Sequence, residues 1–98
     1  MINVIEHISV LGHRVQDSVT GFKGVATSVS FDLYGCIQIL VNPGMDKDGK
    51  LQDQTWFDSN RLEVLPDGPV MERPQFEYTP ENIAAGDKGP AEKPANKP

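Results

Sequence analysis

One cysteine, two histidines and no apolar run longer than three residues narrow the reading of this 98-residue sequence at once. A lone Cys36 closes no internal disulfide, so a disulfide-framework fold is excluded. With only His7 and His13 to accompany it, the ligand spacing of a zinc site is missing as well. Ile39-Leu40-Val41 falls far short of the roughly 20 apolar residues that cross a bilayer. The opening residues, Met1 to His7, carry no basic start followed by an apolar stretch, so no secretory signal is expected. These absences describe a soluble protein of a reducing cytoplasm. Excess basic charge is lacking too: nine Lys and Arg stand against 14 Asp and Glu, for a net charge of −5.

Proline is scarce at first and then abundant. Seven of the eight prolines lie between Pro66 and Pro98, so the foldable part is expected to end near Leu65. A domain of that size buries only about 60% of the surface its unfolded chain exposes, and is marginally stable alone. Without a disulfide or a metal, docking on another protein or self-association is the support that remains. The expected division is an N-terminal extended segment over residues 1–11, a β domain over 12–65, and a proline-rich arm over 66–98 largely without regular structure.

Residues 1–11 read in two ways. Ile2, Val4, Ile8 and Val10 share strand parity, whereas Ile5 and Ile8 suit one helical turn; the extended reading is preferred. Arg14-Val15-Gln16-Asp17 reads as a short strand entering a loop in which Gly21 and Gly24 supply positive φ. Val25 to Phe31 is the next strand, with Val25, Val29 and Phe31 inward and Ala26, Ser28 and Ser30 outward. A turn at Asp32-Leu33-Tyr34-Gly35 leads to a strand from Cys36 to Val41. Asn42-Pro43-Gly44 ends it, and Met45 to Gln54 is a polar loop. Thr55 to Asp58 is a strand, Ser59-Asn60-Arg61 a single helical turn, and Leu62 to Leu65 the last strand. Five short strands and a turn before the last describe an all-β, five-stranded closed barrel, with Val15, Val25, Val29, Ile37, Ile39, Phe57, Leu62 and Val64 inside.

Arg14 to Thr27, with Val15-x-Asp17-x-Val19-Thr20-Gly21-Phe22-x-Gly24 at its centre, resembles the strand–glycine-loop–strand signature of SH3-like and KOW-type barrels. Trp56-Phe57-Asp58 followed by Arg61-Leu62-Glu63-Val64 looks like the closing turn and last strand of that fold. Together with Gly35-Cys36-x-Gln38 and a proline-rich tail, the pattern is similar to a family of small proteins from tailed bacteriophages and prophages. The resemblance covers residues 12–65 well and the arm loosely. It implies a fold and a phage origin, but no transferable activity.

Chemistry finds little footing. A catalytic cysteine needs an adjacent histidine or a helix N-terminus to lower its pKa; Cys36 starts a strand after Gly35 and reads as a buried structural thiol. Asp46-Lys47-Asp48-Gly49 with Asp53 resembles part of a calcium loop, but its glycine is misplaced and two lysines intrude, so a solvated turn is expected. Arg14, Lys23, Lys47, Lys50 and Arg61 are scattered among eight acids in residues 1–65, which argues against a KOW-like nucleic-acid role.

The aromatics carry more. Trp56 and Phe57 are strand neighbours and point to opposite faces, so only one fills the core. Phe22 and Tyr34 sit at loop positions. In the arm, Val70, Met71, Phe76 and Tyr78 are spaced apolar side chains between prolines, suited to draping over a neighbouring subunit; a solubilising tail is the alternative, and Pro66-x-x-Pro69 as a polyproline ligand lacks a basic flank. Phe22, Tyr34, Trp56, Val70, Met71, Phe76 and Tyr78 are therefore the candidate partner-binding residues. The expected function is a non-enzymatic phage-encoded binding or assembly module in the host cytoplasm or the virion, with no cofactor, no metal and no membrane span. The alternatives are an anti-defence protein that blocks a host enzyme or sequesters a small ligand, and a nucleic-acid binder.

Overall fold

The computed structural model describes residues 4–76. It begins with α1 (Val4–Ile8), followed by β1 (His13–Asp17), β2 (Lys23–Phe31), β3 (Ile37–Asn42) and β4 (Thr55–Asp58); a 3-10 turn (Ser59–Arg61) then leads into β5 (Leu62–Pro69). All five strands form one antiparallel sheet in the order β4-β3-β2-β1-β5. The sheet edges are therefore β4 and β5, the two strands joined by the 3-10 turn. No pairing joins β4 to β5 among the described residues, so the closed barrel is not what the hydrogen bonding shows.

The expected extended segment over 1–11 is corrected at its centre, where Val4–Ile8 is helical. A five-residue helix has no independent stability. Here Val10 packs against the core just after it, and the Leu11 and His13 amides donate to the Ile8 and Val10 carbonyls. α1 itself buries no residue, so it is the turn after it, anchored by Val10, that joins this segment to the sheet.

The core consists of Val15, Ala26, Ile39, Val41 and Phe57, with Val10, Phe22, Val29 and Leu62 packed around it. Its parity differs from the expected one in β2. Ala26 pairs with Val41, but Ser28 pairs with Leu40, so Thr27 is an extra residue that shifts the alternation. Ala26 is consequently buried where an outward residue was expected; beyond the irregularity Val29 packs on the core as expected, and Phe31, on the same face at the end of the strand, is 42% exposed. The Thr27 hydroxyl donates to the Leu40 carbonyl across the irregularity.

β5 is longer than expected and less regular. Val64 pairs with Val15, and the next match is Pro69 with His13, so Leu65 to Gly68 bulge outward against the single Arg14. Gly68, at φ 81°, makes that excursion possible. The arm therefore begins as part of the sheet, and Val64, expected inside, is 46% exposed. Cys36 precedes β3 and is exposed, which corrects the buried-thiol reading.

Gly21 and Gly24 also part company. Gly21 has φ 80°, as expected. Gly24 does not have positive φ; a β-carbon there would lie 2.4 Å from the Asn42 carbonyl oxygen. Close approach of strand backbones, not turn geometry, requires glycine at that position.

Candidate functional site

Among the described residues, the one buried charge is Asp17, 0% exposed at the end of β1. Its carboxylate accepts two hydrogen bonds from Arg61, Nε to Oδ1 at 2.8 Å and Nη2 to Oδ2 at 2.7 Å. The Thr20 amide and hydroxyl donate to Oδ2 at 2.8 and 2.5 Å. The Arg61 hydrogen bonds, reinforced by those from Thr20 and by the charge of Arg61, hold the Asp17 carboxyl well below the usual range against the opposing effect of burial. The same pairing raises Arg61 further. The Arg61 guanidinium lies 5.2 Å from the Phe57 ring centroid, and the Ser18 amide donates to the Arg61 carbonyl. This cluster ties the β1–β2 turn to the 3-10 turn. With its lone pairs engaged, Asp17 is a fastener and not a free acid or base. In the sequence, only the Asp17-x-x-Thr20 spacing hinted at the turn; the partner 44 residues away carried no signal.

Phe22, at its loop position, packs onto this cluster. Its ring is tilted 46° against Phe57 at 5.2 Å between centroids, which leaves this loop aromatic half-buried. Trp56 is partly exposed on the edge strand β4, opposite Leu40, while its neighbour Phe57 is buried, as their alternation requires.

Val70, Met71 and Phe76 lie against the chain's own fold. The Val70 amide donates to the Gly12 carbonyl at 2.8 Å. A β-carbon on Gly12, at φ 87°, would stand 2.3 Å from the Met71 carbonyl oxygen, so glycine there lets the arm approach. Between the arm and β2 is a cavity of about 400 Å³, bounded by Leu11, Val25, Ala26, Val70, Met71 and Phe76. Phe76 also borders a second cavity of about 360 Å³ with Ile8, Leu11, Val29 and Phe31. Tyr78 lies outside the described residues.

Tyr34 stands apart from these, in the β2–β3 hairpin. The Asp32 carboxylate oxygen Oδ1 accepts from the Tyr34 and Cys36 amides at 2.9 and 2.8 Å. The Asp32 amide donates to the Cys36 carbonyl, and that of Gly35 to the Asp32 carbonyl. This bonded turn holds Leu33 and Tyr34 in solvent, 89% and 85% exposed. Asp32 first, then partial desolvation and Asp58, push the Cys36 thiol up, away from the reactive thiolate.

The Asp46-x-Asp48-Gly49 loop closes on itself: Asp46 Oδ1 accepts from the Asp48 and Lys50 amides. Among the described residues, no three of His, Cys, Asp and Glu gather as metal ligands, and no helix is long and apolar enough to cross a membrane. Comparisons with family models, curated proteins and solved structures gave no match.

Proposed function

We propose that this chain is a non-enzymatic protein-binding or assembly module built on an SH3-like barrel. The strand order supports the barrel: first and last strands are neighbours, the middle strands form a meander, and a 3-10 turn separates β4 from β5. Bending at the Thr27 irregularity would bring the edges β4 and β5 toward each other. The observation that carries the binding role is the exposure of Leu33 and Tyr34 on a hydrogen-bonded turn, beside partly exposed Phe31 and Phe76. Large apolar side chains on a firm scaffold lose little entropy on docking and make suitable anchors.

The resemblance to small proteins of tailed phages makes virion assembly in the host cytoplasm the setting of choice. Quantitative mass spectrometry of purified particles tests it: a fixed copy number per particle is expected, and complete absence removes the virion reading. Sequestration of a small ligand is the second reading, favoured by the apolar cavity beneath Val70 and Met71. Nucleic-acid binding has less support, because Arg61 is committed to Asp17 and the remaining basic residues are scattered.

A further inference from the structure

We infer that two copies of this chain associate about a two-fold axis, each inserting Leu33 and Tyr34 into the other's cavity between Ile8, Leu11, Val29, Phe31 and Phe76. The inference rests on the protein-binding reading and names a second copy as the partner.

Three observations carry it. The projecting element is already ordered: Asp32 fixes the Tyr34 and Cys36 amides, so the turn enters an interface without first having to organise. The receiving cavity, about 360 Å³, is bounded by Ile8, Leu11, Thr27, Ser28, Val29, Phe31 and Phe76, with no ionisable group among them. The lining therefore holds no charge for leucine and tyrosine to desolvate; Asp32, at the base of the inserted turn, and His7, edge-on to Phe31, stand at the rim. Projection and cavity also adjoin, because Phe31 borders the cavity and immediately precedes the turn. Adjacent complementary features suit an isologous pair, in which each copy gives and receives the same contact.

The size of the patch sets the expected strength. Whole aromatic side chains bury about 200 Å² each. At 85%, 42% and 39% exposure, Tyr34, Phe31 and Phe76 together offer on the order of 300 Å². Leu33, Val70 and Met71 enlarge this, against about 800 Å² per partner in a stable complex. The pair is therefore concentration-dependent, not permanent. A small core without disulfide or metal gains stability from such association by mass action.

Sedimentation equilibrium of the full chain from about 1 µM to 1 mM tests the inference across the affinity range expected of a small interface. A monomer–dimer equilibrium is expected. Leu33→Ser with Tyr34→Ser should weaken it at least about tenfold, as should Phe76→Arg at the cavity, since each removes an anchor or introduces a charge. Val19→Ser, on the exposed β1–β2 turn, should change nothing. Circular dichroism establishes that each variant is folded. Mixing the two defective forms should restore association in part, because one retains the cavity and the other the projection. A monomer at every concentration overturns the inference and leaves the cavity to a foreign partner or to the chain beyond Phe76, without touching the virion test. A dimer insensitive to both variants overturns it equally.

Discussion

Asp17 shows how one side chain can organise distant parts of a small sheet. Four hydrogen bonds converge on it, from Thr20 in the adjoining turn and from Arg61 beyond β4. Removing one member of such a pair leaves the other inadequately partnered, and that asymmetry makes the loss severe. Asp17→Asn should lower Tm by several degrees, more than the same change at exposed Asp46 or Asp53. Because the folded carboxyl lies below its ordinary value of 3.8, its contribution is complete above that pH. It is lost as pH falls toward the lowered folded value. Acid titration monitored by circular dichroism should therefore show a declining limb below about pH 4 that flattens in Asp17→Asn. An unchanged limb would show that other groups govern it. Gly24 makes a second prediction. Its missing β-carbon would meet Asn42 backbone at 2.4 Å, so Gly24→Ala should destabilise by about 1–3 kcal/mol through overpacking. Gly21→Ala, strained only by φ 80° with more room around it, should cost about 1 kcal/mol. Thermal melts of the two variants check that order.

In β1, β3 and β4 the side chains expected inward, Val15, Ile39, Val41 and Phe57, are the buried ones, although Leu40 and Trp56 interrupt the apolar alternation. The 3-10 turn was legible from its short polar sequence between two apolar runs. β2 was legible only in part: the extra residue at Thr27 puts Ala26 inward in place of Val25, while Val29 beyond it packs on the core as its spacing dictates. At the N-terminus, a single turn of helix is too short to impose a period. Among the candidate site residues, Tyr34 and Trp56 were readable as exposed, but Phe22 depended on the remote partner Phe57. β5 misled for a different reason. Pro66-Asp67-Gly68-Pro69 has the chemistry of a break, and the pairing does lapse there, yet it resumes at Pro69 and continues to the Val70 amide. A chain ending at Leu65 should therefore be less stable than the full chain, by about 1 kcal/mol or more for the lost hydrogen bonding and cover, and melt at a lower temperature. A chain ending at Phe76 should match the full chain. Equal melting of all three would show that residues 66–76 contribute nothing to the fold.

For the molecule as a whole, the relation between its small core and its apolar surface governs the functional account. Five buried apolar side chains form the centre, while Phe31, Leu33, Tyr34, Trp56 and Met71 remain accessible on the sheet, its hairpin and its arm. Retaining such groups outside a domain with so little to spare suits a surface completed by another protein. Native mass spectrometry of the tagged full chain, isolated from the cells that produce it, tests this most directly. The account predicts the chain in complex with protein, either its own copy or another, at a defined stoichiometry, with that complex diminished by Leu33→Ser and Tyr34→Ser. A monomer carrying a small molecule or a nucleic acid, unchanged by those substitutions, would contradict it.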